Sequence, residues 1–376
     1  MGDSAIAERH DDETLDAAGL YEKGEDCYWE NDYTGALKWF MKAAEQGHAA
    51  AQKRLGDMYF KGKGVREDYY KSMGWYQKSA DQGNADAQYS LGKLYATGQR
   101  IFRRHSCYGR VTNTEKFVNK NYSEALKWYR KAAAHGNAEA DKELGDMFEW
   151  GIGVVRDIAE SAKWYRAAAE LGDAESQKKL GDIYSGDCFG ESAAVKDLAE
   201  AARWYRRAAE NGDSEAQKKL GDMCYCGNGV TQDYSEAAKW YLKAAMRVDE
   251  LFDSCDMFFY LCSMYFHGCG VCRDYNEAYK WFAALCKSSS SLSMYRGLID
   301  EIVGWFRKAA EQGDSIAQKI LGDIYYGGKG VPQNYSLAAQ FYREAGDQGD
   351  MHSQKKLADM YRFGNGVGRD CDEALK

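Results

Sequence analysis

Apolar residues recur along this chain in two alternating stripes. In the segment running from Ser214 to Asp249, Ala216, Leu220 and Cys224 stand four apart on one face of a first helix, and Ala237, Trp240, Tyr241 and Ala244 form the face of a second. The first half returns at Leu55-Gly56, Leu91-Gly92, Leu144-Gly145, Leu180-Gly181, Leu220-Gly221 and Leu321-Gly322, and as Leu357-Ala358. Copies lie 36 residues apart where nothing intervenes, as from Leu55 to Leu91. The second half returns as Trp followed by an aromatic at Trp39, Trp75, Trp128, Trp164, Trp204, Trp240, Trp281 and Trp305, with Phe341-Tyr342 standing in once. One hairpin cannot cover both of its own stripes, so the pattern predicts hairpins stacked side by side. The glycine within the first stripe costs helix propensity of about 1 kcal/mol, and its recurrence predicts a close approach by the partner helix.

The breaks between stripes are equally regular. Gly-x-Gly-Val spans 62–65, 151–154, 227–230, 268–271, 328–331 and 364–367, with glycines suited to end a helix at positive φ and turn the chain. Asp or Asn followed three residues later by Glu then opens the second helix at Asn121, Asp157, Asp197, Asp233, Asp274 and Asp370, the spacing of a capping box. Gly-Asn or Gly-Asp, as at Gly136-Asn137, Gly172-Asp173 and Gly212-Asp213, closes it and opens the next copy. In their fixed order these motifs resemble the Sel-one-like repeat family, relatives of the tetratricopeptide repeats with their units of about 34 residues. The resemblance runs from about Ala17 to the end. It implies an all-α fold, a right-handed α-α superhelix (solenoid) of stacked helix-turn-helix repeats. It also implies a scaffold or adaptor role in protein-protein interaction, since family members assemble signalling, quality-control and cell-wall-synthesis complexes and some bacterial ones act on host cells. It does not name the partner.

Composition sharpens this picture. The 376 residues are 45% hydrophobic with 39 Gly and a single Pro, Pro332, as suits a helical chain whose turns are made by glycine. Lys plus Arg number 50 against 58 Asp plus Glu, which disfavours a broad attraction to nucleic acid or an anionic membrane. No run of 18 apolar residues occurs, and residues 1–16 are polar and acidic without a signal-peptide core; they are read as a disordered N-terminus of a cytoplasmic protein. The 11 cysteines fall at no fixed place in the repeat and are read as reduced thiols.

The repeats form a block over 17–249, interrupted at about 99–120 by an insertion. It carries Arg100, Arg103, Arg104, Arg110, Lys116 and Lys120 against a single Glu115, a basic loop on an acidic molecule. A shorter insertion lies around Gly186 to Ala194, and over 250–304 the pattern degrades, which reads as a hinge. Repeats resume over 305–376, and the last copy stops where its second helix should begin. That end is expected either to continue or to pair with something, another copy of the chain included.

There is no phosphate loop, no HExxH and no Gly-x-Ser-x-Gly, so neither catalysis, a cofactor nor a metal is expected. Cys269-Gly270-Val271-Cys272, with Cys255, Cys262, His267 and Cys286 nearby, is the constellation that zinc or a small-ligand enzyme would use. Its Gly and Val are ordinary turn residues, and no second such pair exists. The better candidate is the first-helix face, where Lys and Asp recur four apart at Lys53/Asp57, Lys142/Asp146, Lys178/Asp182, Lys218/Asp222, Lys319/Asp323 and Lys355/Asp359. In tetratricopeptide relatives the matching positions line the concave groove. That makes Lys142, Asp146, Trp150, Lys178, Asp182, Lys218, Asp222, Tyr225 and Phe266 the candidate partner-binding residues, the aromatics serving as anchors together with Tyr89, Phe259, His267, Tyr326 and Phe363. The competing account is a self-satisfied ladder, each Lys bound to an Asp of its own or an adjacent helix. The basic insertion is read as a second protein contact, or, in a third reading, as a site for acidic lipid or nucleic acid.

Overall fold

The computed structural model describes residues 15–107, 110–186, 196–246, 255–288 and 295–375, with 99–118 as backbone only. The N-terminal residues 1–14 and the second insertion at 187–195 lie outside the described residues. The chain divides into two compact units, Met1–Lys196 and Asp197–Lys376. The first stacks the hairpins α1 (Ala17–Trp29) with α2 (Tyr33–Glu45), α3 (Ala49–Lys61) with α4 (Tyr69–Asp81), α5 (Ala85–Thr97) with α6 (Tyr122–Ala134), and α7 (Ala138–Trp150) with α8 (Ile158–Glu170), followed by α9 (Ala174–Ser185). The second opens with α10 (Leu198–Glu210) and continues through α11 (Ser214–Cys226) with α12 (Tyr234–Ala245), and α13 (Cys255–His267) with α14 (Tyr275–Ser288). It ends with α15 (Arg296–Glu311), α16 (Ser315–Gly327) with α17 (Tyr335–Asp347), and α18 (Met351–Phe363). Each unit is an all-α stack of helix-turn-helix repeats. The first insertion is not a loop: β1 (Gln99–Cys107) and β2 (Arg110–Val118) pair antiparallel, from Gln99 opposite Val118 to Cys107 opposite Arg110.

The recurring helical glycine has a direct cause. A Cβ at Gly56, Gly92, Gly145, Gly221 or Gly322 would lie 2.4, 2.5, 2.4, 2.6 or 2.5 Å from the ring of Tyr76, Tyr129, Tyr165, Tyr241 or Tyr342. Each of these Tyr rings therefore lies flat on the bare backbone of its partner helix, and Tyr129, Tyr165, Tyr241 and Tyr342 are among the largest fully buried side chains. The Trp itself sits at the edge with a Lys three residues on above its face, 4.3 Å away for Lys78 on Trp75, 4.0 Å for Lys131 on Trp128 and 4.1 Å for Lys243 on Trp240.

Turns and caps follow the sequence with one substitution. The first turn glycine ends the helix in the left-handed region, as at Gly227 with φ +74°. The second presses on the preceding repeat, since a Cβ at Gly229 would stand 2.2 Å from the Leu198 carbonyl oxygen. Asn121, Asp157 and Asp233 cap their helices by accepting from the backbone N–H of Glu124, Glu160 and Glu236. The return arm of a capping box is not what satisfies the cap's own N–H. That group donates instead to a first-helix carbonyl, Asn121 to Tyr95 at 2.8 Å, Asp157 to Phe148 at 2.9 Å and Asp233 to Cys224 at 2.9 Å. The Glu side chains turn forward, Glu124 to Lys127 and Glu160 to Lys163.

A buried Gln joins one repeat to the next. Gln52, Gln88, Gln177, Gln217 and Gln318 each donate to the carbonyl eight residues back, at the end of the preceding second helix where carbonyls lack helical partners. In α7 this place is taken by Asp141, which is 3% exposed.

The degenerate stretch also has a packing logic. The Trp305-Phe306 pair of α15 marks it as a second-type helix with no first helix of its own. It packs on α13 instead, Trp305 lying 5.6 Å from Phe259, 5.7 Å from Phe266 and 5.0 Å from His267, ring to ring, and Phe306 5.2 Å from Phe266. Phe259 and Ser263 replace the usual Lys and Asp there because α15 covers that stripe.

Candidate partner-binding face

Lys53 pairs with Asp57 four residues on at 2.7 Å, as the spacing suggests. Elsewhere the partners differ. Lys142 reaches one repeat forward to Glu175 on α9 at 2.9 Å, and Lys179 reaches back from α9 to Asp146 at 2.7 Å and Glu149 at 3.0 Å on α7. The Asp is held by a phenol: Tyr76 donates to Asp57, Tyr165 to Asp146, Tyr241 to Asp222 and Tyr342 to Asp323, at 2.7, 2.6, 2.7 and 2.7 Å. Lys178, Asp182 and Lys218 are engaged as well. Burial, followed by the adjacent carboxylate, drives these four phenols far above the usual tyrosine range, so they remain donors at any physiological pH. The Glu175 hydrogen bond raises the Lys142 ammonium; burial lowers that of Lys179, and its bonds to Asp146 and Glu149 outweigh this. The first-helix face is thus a network running from helix to helix.

The expected aromatic anchors divide in two. Phe266 is 8% exposed and belongs to the core among Tyr275, Trp305 and Phe306. Tyr225 packs on Tyr234 at 5.1 Å and Tyr260 at 4.5 Å. The same joint recurs as Phe60 on Tyr69 at 5.3 Å and Tyr326 on Tyr335 at 5.2 Å, fastening the end of the first helix to the start of the second in these repeats. Neither Phe266 nor Tyr225 is a free anchor. Phe259 and His267 likewise meet Trp305. Open to solvent are Trp150 at 58% and Phe363 at 65%, each the last residue of a first helix, and Trp29 at 74% in the same position of α1.

The sequence profile described as Sel1 repeat matches residues 17–48, 49–84, 85–103, 112–137, 138–173, 174–213, 214–249, 259–290, 303–314, 315–350 and 352–376. This chain belongs to the Sel1 repeat family. Among solved structures it is similar to c5321 of uropathogenic Escherichia coli, described as a protective antigen displaying an SLR fold, with 30% identity and a TM-score of 0.55 over 97% of this chain and 84% of that one. It is also similar to a Sel1 repeat protein from Oxalobacter formigenes, with 26% identity and a TM-score of 0.52 over 90% of this chain and 84% of the other. No curated protein matches it in sequence.

The remaining candidates of this Sel1 repeat chain lie apart from that face. Cys262, Cys269, Cys272 and Cys286 are free thiols. Burial pushes Cys286 up to about 11 and Cys262 higher still, so both are protonated thiols at neutral pH. Among the described residues no group of three or more His, Cys, Asp and Glu side chains converges on a metal position, and no helix is long and apolar enough to cross a membrane. The side chains of Arg100, Arg103, Arg104, Arg110 and Lys116 lie outside the described residues; Lys120 is exposed at the foot of the hairpin.

Proposed function

We propose that this Sel1 repeat chain is a non-catalytic scaffold that works in the cytoplasm and grips segments of partner proteins on its first-helix faces. The observation that carries the reading is the Lys–Asp–Tyr network. It fixes charged groups in position on successive helices, Lys142 to Glu175 and Lys179 to Asp146, and leaves exposed Trp150 at the edge of that charged surface. A rigid polar field beside an exposed aromatic is how interfaces combine register with affinity. The family, whose helical-repeat members generally serve protein-protein interaction, supports the same reading.

The test combines Lys142→Glu, Lys178→Glu and Lys218→Glu, alone and with Trp150→Ala, in affinity purification from native cells with mass spectrometry. Loss of specific partners from a variant whose circular dichroism matches the parent supports the proposal. An unchanged partner list from both variants refutes it.

A further inference from the structure

Two neighbouring gaps of the first unit depart from their copies. Between α7 and α8 the Gly-x-Gly-Val turn carries Trp150 before it, Ile152 within it and Val155 after it. The other five turns place Lys, Asn or His at one or more of these three positions, as at Lys61 and Lys63 or at Asn228. Trp150, Ile152 and Val155 are 58%, 37% and 88% exposed. Val154 alone packs against the core, so the turn's own structural need is met without them. Single exposed apolar residues are ordinary, but three on one turn form a patch that calls for a use.

The preceding gap, between α5 and α6, holds β1 and β2. Residues 99–120 carry six cations, Arg100, Arg103, Arg104, Arg110, Lys116 and Lys120, against the single Glu115. The two gaps touch: a Cβ at Gly153 would lie 2.3 Å from the Tyr122 Cβ, two residues beyond Lys120 at the foot of the hairpin. Arg156 is exposed beside Val155, its Nε–H on the Glu149 carbonyl at 2.9 Å. One edge of the unit thus joins an apolar tip to a strongly basic segment, on a chain whose net charge is -8. The acidic remainder does not cancel the local attraction, because charges beyond a Debye length, about 8 Å at physiological salt, are screened.

We propose that this edge seats the first unit on an anionic membrane surface, with Trp150, Ile152 and Val155 entering the headgroup region and the charge of residues 99–120 drawn to acidic lipid. Two features favour a bilayer over a groove on a protein. The apolar side chains stand on a turn, with Val155 almost wholly open, and a protruding tip suits a surface that yields around it. Trp beside Arg and Lys also suits the membrane interface, where the indole sits at headgroup level and each nearby cation adds attraction to acidic lipid. The attachment is peripheral, an apolar tip and a basic segment acting together. It goes beyond the scaffold reading and does not rest on it: Trp150 borders both surfaces, whereas Ile152, Val155 and the hairpin lie outside the first-helix face.

In the test, the purified full chain is sedimented with vesicles of phosphatidylcholine alone or with about one third phosphatidylserine. Binding to the acidic vesicles alone is expected, and its loss as salt rises. A tip variant combines Trp150→Ser, Ile152→Asn and Val155→Thr, the last two matching Asn228 and Thr231 of the α11–α12 turn. It should bind about tenfold more weakly or worse. Arg100→Gln, Arg103→Gln, Arg104→Gln and Arg110→Gln together should weaken binding at least as much. Circular dichroism establishes folding; should either variant fail it, Trp150→Ser alone replaces the first, and exchange of residues 98–120 for residues 62–67 replaces the second. No binding by the parent, equal binding to both vesicles, or unaltered binding by either variant overturns the proposal. Binding that the tip variant keeps and single-stranded RNA competes away overturns it in favour of a polyanion site. No vesicle binding by the parent, with specific protein partners lost from the tip variant in affinity purification, overturns it in favour of a protein contact. Purified chain and lipid hold no partner protein, so failure of the vesicle assay leaves the scaffold reading standing.

Discussion

Replacing Asp141 by Gln should make the first unit more stable at neutral pH and flatten its response to pH. Asp141 occupies the position at which six other repeats place a Gln that donates to a carbonyl, and an ionised carboxylate cannot donate. It is 3% exposed, and burial raises its carboxyl from 3.8 to about 6. Below about pH 4 the folded and unfolded chains both hold the proton. Between there and about pH 6 the unfolded chain releases it while the folded chain keeps it, so stability falls with rising pH across that window. The whole displacement is worth about 3 kcal/mol at pH 7. Gln also supplies the missing donor, a gain of about 1 kcal/mol. Repeat stacks unfold by parts, so the assay is local: native-state hydrogen exchange of α7 amides as protection factors at pH 4 and pH 7. Protection at pH 7 should rise by about three orders of magnitude in Asp141→Gln, with a much smaller difference at pH 4. Equal protection at pH 7, or a difference as large at pH 4, would refute the reasoning.

Two further substitutions separate causes that sequence propensity confounds. Gly221→Ala and Gly74→Ala both add a methyl to a helix, but a Cβ at position 221 meets the Tyr241 ring at 2.6 Å while one at position 74 meets nothing within 4 Å. Urea unfolding should show the first destabilised by about 1–3 kcal/mol and the second stabilised by about 0.5–1 kcal/mol; effects of the same sign would contradict the packing account. Gln318→Met removes the donor to the Ala310 carbonyl within the buried seam between α15 and α16, at a cost of about 1–3 kcal/mol, and a thermal melt no lower than the parent's would show that this bond does not join the repeats.

The repeat, its turns and its caps were legible because each has a local signature: the four-residue stripe, the paired glycines, the Asp before the helix. The partners of the Lys and Asp were not. The spacing of Lys142 and Asp146 suggests a pair within one helix, yet Asp146 is claimed by Tyr165 nineteen residues on and by Lys179 from the next repeat. The signal lay in the aromatic pair itself: a Tyr that only filled space could be Phe at every copy, and a hydroxyl kept at Tyr76, Tyr165, Tyr241 and Tyr342 asks for an acceptor. Phe266 and Tyr225 were misplaced for a related reason, since position along a first helix does not disclose that Tyr275 or Tyr234 packs against it from the start of the second. The hairpin at β1 and β2 was hidden by its many Arg, which read as solvated loop although Val111, Thr112, Thr114 and Val118 favour strands.

The backbone bond that closes each repeat has a consequence for how such chains diversify. Asp68 N–H to Tyr59 seals a short glycine turn, and Asn121 N–H to Tyr95 seals the far longer excursion through β1 and β2 with the same bond. By chain statistics the longer loop costs only about 1 kcal/mol more to close. The gap between a first and a second helix therefore behaves as a socket. New sequence can be lodged there, inherited or grafted, and tried for what it recognises while the stack that carries it goes on folding unchanged.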